Sequence, residues 1–138
     1  MILVDTSAWI EFFRGRDPVA SAVDEALGAN DVALCGPIEA EIRRGVASER
    51  ERSKVMPLLE SCHSLAQPPE LWAEAGDLGF ALRRRGITPK TLDLLIAVYA
   101  LSHSAILLTV DKDFALMQKA GIPLLLMELG RTTRTIPP

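Results

Sequence analysis

The chain has 138 residues, 49% of them hydrophobic and 24% charged, with 18 acids against 15 bases and a formal net charge of −3. That length suits one domain and the apolar share excludes global disorder. Taken alone, the acidic balance argues against a nucleic-acid binder, because such proteins usually carry a basic excess. Cys35 and Cys62 fit neither a Cys-x-x-Cys nor a His-paired zinc spacing, and read as small buried hydrophobes. The opening Met1-Ile2-Leu3-Val4-Asp5 has no basic stretch before its apolar residues, so no signal peptide is expected. The longest apolar run, Leu94 to Leu101, falls far short of the roughly 18 residues of a membrane span. A soluble protein of the reduced cytoplasm is expected, with no membrane partner.

In chain order, Ile2 to Val4 reads as a strand ending at Asp5, and Thr6 or Ser7 can cap a helix to about Arg14. Asp17-Pro18 reads as N-cap and first position of a helix ending near Gly28. Val32 to Cys35 is a second strand, and Pro37 starts a helix carrying Glu39 and Glu41. Ser48-Glu49-Arg50-Glu51 is a capping box for the next helix. After a short extended piece at Ser64 to Ala66, Pro68 and Pro69 precede a helix with Leu71, Ala75, Leu78 and Leu82 at helical spacing. Arg83, Arg84 and Arg85 suit the negative end of its dipole, and Gly86 its C-terminal cap. Pro89 opens a helix to about Ser102, Ala105 to Thr109 is a strand, Lys112 to Ala120 a helix and Leu124 to Met127 a last strand. One domain over residues 1–130 with a tail at 131–138 is expected, and no repeat or linker interrupts it. Strands alternating with helices predict an α/β sandwich whose mostly parallel sheet is covered on both faces. In such sheets ligands bind beyond the carboxyl ends of the strands.

Carboxylates fall at that edge. Asp5 ends the first strand; Asp111 lies just past the strand ending at Thr109, with Asp113 two residues on. Each has a plain alternative, since aspartate commonly caps a helix where a strand ends. Asp93 interrupts Leu92-Asp93-Leu94-Leu95-Ile96-Ala97-Val98-Tyr99, a helix apolar almost all round and therefore buried. There a lone carboxylate is costly unless it has a partner or complements the first turn's dipole. Glu39 and Glu41 do not share a helix face, and both flank the stripe of Ile38, Ile42 and Val46, so periodicity does not choose between them. Converging carboxylates repel and raise one another's pKa, and hard divalent cations such as magnesium or manganese remove that penalty. Paired ions of this kind can activate water and hold the oxygens of a phosphodiester. Neither His63 nor His103 has an evident catalytic setting.

These residues resemble PIN-domain ribonucleases, in particular VapC-type toxins of type II toxin–antitoxin pairs, over nearly the whole chain. Val4-Asp5-Thr6-Ser7-Ala8-Trp9-Ile10-Glu11 is similar to that family's first acidic motif. Glu41-Ile42-Arg43-Arg44-Gly45 resembles its Glu-Leu-x-x-Gly motif, with isoleucine for leucine, and selects Glu41 over Glu39. Asp93-Leu94-Leu95-Ile96-Ala97 corresponds to the third acidic segment, and Leu108-Thr109-Val110-Asp111-Lys112-Asp113-Phe114 to the fourth. The resemblance implies a PIN-like three-layer α/β/α sandwich and a Mg2+- or Mn2+-dependent endoribonuclease in which Asp5, Glu41, Asp93 and Asp111 hold the ions. Thr6, Ser7 and Thr109 would support that cluster from behind, and Asp113 would cap the following helix or act through a water. It also implies a VapB-type antitoxin, contact with operator DNA only through the antitoxin complex, and a homodimer.

RNA needs positive surface. Arg14, Arg43, Arg44 and Lys112 are the main candidates for phosphate contact, with Arg16, Arg83, Arg84, Arg85, Arg131 and Arg134 behind them; ordinary solvation explains many of these charges. Trp9, Phe12 and Phe13 suit either core packing or an antitoxin groove. Another Mg2+-dependent α/β phosphohydrolase typically has Asp-x-Asp after the first strand, where this chain has Asp5-Thr6-Ser7. A receiver-like module needs an aspartate ending a middle strand, where Cys35-Gly36-Pro37 stands. A non-catalytic RNA-binding module of the same fold would not need all four acids. With those four set aside, 14 acids remain against 15 bases, so the acidic balance does not exclude RNA.

Overall fold

The structure, a computed structural model, describes residues 1–129. Its elements are β1 (Ile2–Val4), α1 (Thr6–Phe13), α2 (Val19–Gly28), β2 (Val32–Leu34), α3 (Gly36–Gly45) and α4 (Glu49–Glu60), followed by β3 (His63–Ser64), α5 (Leu71–Arg83), α6 (Thr91–Ser102), β4 (Ile106–Leu108), α7 (Lys112–Lys119) and β5 (Leu125–Leu126). All five strands are parallel, in the order β3-β2-β1-β4-β5, so the sheet is wholly rather than mostly parallel. Successive strand residues face opposite sides of a sheet. Leu3 and Val4 are both fully buried, as are Leu107 and Leu108, so both faces are covered and the sandwich has three layers.

The strand order fixes where a site can form. The chain runs outward from β1 through β2 to β3, then returns to place β4 on the other side of β1. Neighbouring helices therefore diverge beyond the carboxyl ends of β1 and β4, the switch point at which open α/β sheets bind ligands. Ile2, Leu3 and Val4 pair with Ile106, Leu107 and Leu108, and the Asp5 amide donates to the Leu108 carbonyl at 3.0 Å. Two strand ends are thus locked side by side. Beneath them α6 buries every residue from Leu94 to Ala100, as its all-round apolar sequence predicts.

Several boundaries differ from expectation for local reasons. Asp5, rather than Thr6 or Ser7, caps α1, because its carboxylate reaches the Ala8 amide and leaves the two hydroxyls free for other partners. α2 starts at Val19, one residue after Pro18, although Asp17 still accepts from the Ser21 amide and hydroxyl at its start. α6 starts at Thr91 instead of Pro89, with Lys90 extended at its N-cap. The extended piece expected at Ser64 to Ala66 pairs one residue earlier, as His63–Ser64. His63 and His103 each bond a backbone carbonyl, of Asn30 and Ala66, and lie away from the carboxylates described below. Cys35 is buried and Cys62 half-buried; burial pushes their thiols up to about 12 and about 11, which leaves them unreactive. Among the described residues no helix is long and apolar enough to cross a membrane. The expected tail, with Arg131 and Arg134, lies outside the described residues.

Candidate active site

Asp5 is the one buried charged residue of the described chain, 4% exposed, at the end of β1. Its Oδ1 accepts from the Ser7 hydroxyl at 2.7 Å and the Ala8 amide at 3.1 Å; its Oδ2 accepts from the Thr109 hydroxyl at 2.7 Å. Burial pushes its pKa up, these hydrogen bonds pull it back, and the nearby Asp111 carboxylate adds to the rise. The hydroxyls of Ser7 and Thr109 lie 3.3 Å apart and accept in turn from the backbone amides of Val110 and Asp111, at 3.0 and 2.9 Å. Two side chains from different strand ends therefore fix Asp5 and the β4–α7 turn in one network. Thr109→Val removes the donor to Asp5 and the acceptor of the Asp111 amide. We expect any activity that depends on the acidic centre to fall about 10–100-fold, read as initial rates, with stability lower by about 1–2 kcal/mol in chemical denaturation.

Asp111 caps α7 by accepting from the Asp113 amide at 2.9 Å. Asp113 does not hold the cap expected of it: it lies within the first turn, and its own carboxylate accepts no hydrogen bond among the described residues. One oxygen each of Asp93, Asp111 and Asp113 lies within 4.8 Å of the others. Asp93 reaches them from the first turn of α6, where its charge also complements the helix dipole. Its Oδ2 is enclosed and has no hydrogen-bond partner among the described residues. Partial burial, then the charges of Asp111 and Asp113, push its pKa up to about 6, against the opposing pull of Lys90.

The second helix acid is resolved by its partners. Glu41 Oε1 accepts from the Thr6 hydroxyl at 2.6 Å, which turns it toward the start of α1 beside Asp5. Glu39 forms an i,i+4 ion pair with Arg43 at 2.8 Å. Asp5 and Glu41 stand outside the close group of three; Ser7 and Thr109 hold the oxygens of Asp5, and Thr6 holds Oε1 of Glu41. Among the phosphate-contact candidates, Arg43 is thus partly committed to Glu39, whereas Arg14, Arg44 and Lys112 are exposed and enter none of the ion pairs of the described residues. Sequence reasoning missed Lys90. Its one signal was a cation at a helix N-terminus, where the dipole disfavours it.

Three carboxylates this close, one with an orphaned enclosed oxygen, suit a hard divalent cation. Carboxylate oxygens around one magnesium at about 2.1 Å are at most about 4.2 Å apart, so small side-chain adjustments suffice. Fold and carboxylates together define a parallel α/β sandwich with a metal-competent acidic centre at its switch point.

The family model for the PIN domain matches residues 2–120. Ribonuclease VapC11 of Mycobacterium tuberculosis is 33% identical over 119 residues, covering 83% of this chain and 89% of that protein. Among solved structures, VapBC-1 from nontypeable Haemophilus influenzae is similar with a TM-score of 0.72 and 23% identity, over 93% of this chain and 98% of that one. VapBC2 from Rickettsia felis, bound to a DNA fragment from their promoter, gives 0.71 and 22% over 92% and 98%. The chain belongs to the PIN-domain family, and within it to the VapC ribonucleases.

Proposed function

We propose that this chain is the toxin of a type II toxin–antitoxin pair, a divalent-metal-dependent endoribonuclease that hydrolyses RNA phosphodiesters and blocks translation until a VapB-type antitoxin neutralises it. The observation that carries the reading is the convergence of Asp93, Asp111 and Asp113 beside the hydrogen-bonded Asp5 at the β1/β4 switch point. The VapC ribonuclease relative supports the activity, and the VapBC structures support the antitoxin and contact with promoter DNA through the complex. In this reading residues 1–130 form one catalytic domain of a cytoplasmic homodimer.

Asp5, Glu41, Asp93 and Asp111 hold magnesium or manganese, and Asp113 joins them. The bound ion supplies activation of water and neutralisation of charge on the phosphate and leaving oxygen. The chain's own groups prepare that centre. Ser7 and Thr109 fix both oxygens of Asp5, so its lone pairs point one way before any substrate arrives. Thr6 does the same for Glu41 from the adjacent helix start. The cap at Asp111 ties the β4–α7 turn to the carboxylate it carries.

The test is cleavage of RNA by the purified chain, freed of antitoxin, with fragment ends mapped. Cleavage in magnesium or manganese, its loss in chelator and its return on adding metal are expected. Equal cleavage with and without chelator would sink the metal-dependent mechanism, and intact RNA in every condition would sink the activity.

A further inference from the structure

We propose that the last turn of α5 and the α5–α6 connection form a cationic rim, Arg83, Arg84 and Lys90, that receives the phosphate backbone of single-stranded RNA and feeds it to the carboxylates. The proposal rests on the ribonuclease reading above. Gly79 of α5 packs so closely on α6 that a Cβ there would lie 2.8 Å from Leu94 Cδ1, and Leu94 directly follows Asp93. Arg83 lies in the last turn of α5, and the short connection from α5 to α6, which pack together, brings that end of α5 to the end of α6 that carries Asp93. Lys90 stands at the N-cap of α6, one turn before Asp93.

All three cations are exposed, and none enters an ion pair among the described residues. The dipole of α5 accounts for Arg83 in its last turn, but it cannot account for Lys90, which sits at the positive end of α6. Arg85 is set apart, since its guanidinium lies against Gly121 at the end of α7. Arg84 rides over the exposed Phe80 ring, 5.8 Å from its centroid. A guanidinium braced on an exposed aromatic face is the pairing with which single-strand binders hold backbone and base together. Arg43, by contrast, is tied to Glu39.

The experiment measures binding of a labelled single-stranded oligoribonucleotide of mixed sequence to the full chain carrying Asp5→Asn, across a salt series in magnesium. Adding Arg83→Gln, Arg84→Gln and Lys90→Gln together should weaken binding about tenfold and lower the salt slope by about 2, near 0.7 per lost phosphate contact. Thermal melts check that the surface changes leave the fold intact. Unchanged affinity and slope in that triple variant, from a wild type that still cuts RNA, overturn the rim and leave the ribonuclease reading standing. A wild type that binds through these residues but never cuts does the reverse. A second copy of the chain is the rival occupant of this face. Sedimentation velocity on Phe80→Ala separates it: a drop in oligomeric mass with RNA affinity unaltered assigns the face to the partner copy and overturns the proposal.

Discussion

Replacing Asp5 by asparagine should lower RNA cleavage about a thousandfold, the scale expected when a preorganised charge at the reacting centre is lost, while the protein melts almost where the wild type does. The two effects separate because Asp5 has two roles. As N-cap of α1 it accepts from the Ala8 amide, and asparagine caps helices as well as aspartate does. As a buried carboxylate, raised in pKa mainly by burial, it carries a charge that the fold alone gains little from keeping. The asparagine side chain has the same shape, can still accept from Thr109 or Ser7 with its oxygen, and no longer buries a charge. What disappears is the anion at the end of β1. Calorimetry in chelator should show melting within a few degrees of wild type, whereas the rise in melting temperature on adding magnesium should shrink, since ligand stabilisation follows affinity for the folded state. Substantial RNA cleavage by Asp5→Asn, mapped at the wild-type ends, would remove Asp5 from the catalytic set.

Much of this site was readable before the structure because its acids follow short apolar runs, and a parallel sheet gathers the ends of such runs at one edge. Asp5 and Asp111 are in that position, and Asp93 betrayed itself as the one charge in an otherwise apolar helix. Other features were hidden for physical reasons. Strands of two or three residues, buried on both faces, have no alternation from which to infer neighbours, so nothing in Ile2–Val4 tells that it pairs with Ile106–Leu108 as well as Val32–Leu34. The choice between Glu39 and Glu41 depends on Thr6, 35 residues away, and on Arg43 capturing Glu39. The family motif pointed to Glu41; helical periodicity could not. Asp113 does not hold the cap expected of it, because Asp111 and Asp113 both lie near the start of α7 and only the geometry of the turn awards the cap to Asp111. The first reading of net charge failed similarly, since a sum over the chain does not record that its acids are concentrated at one edge.

Asp93→Asn should act on activity and stability in opposite directions: cleavage falls by two to three orders of magnitude, on the order of a lost charge-stabilising group, and the metal-free protein becomes more stable at neutral pH. Asp93 has an ordinary pKa of 3.8 when unfolded and one pushed up to about 6 when folded. The folded state therefore binds this proton more tightly. The favourable contribution is complete below pH 4, is lost as the pH rises through 6, and above pH 7 the ionised carboxylate opposes folding. Taken in full, a shift of two units corresponds to about 3 kcal/mol; Asp93 is only half-buried and solvent screens its neighbours, so about 1 kcal/mol is expected. In a chain of this size that is a change in melting temperature of about 3 °C. Melts of the wild type in chelator should thus rise as the pH falls from 7.5 to 5, and melts of Asp93→Asn should lack that component and sit higher at pH 7.5. Magnesium should reverse the ranking at neutral pH by stabilising the wild type more than the variant. Identical pH profiles for the two proteins in chelator would mean that Asp93 is not the strained carboxylate. Melting points raised equally by magnesium would mean that it does not hold the ion. A group that costs stability when the centre is empty and contributes it when filled is what a metal-dependent enzyme keeps for function rather than for folding.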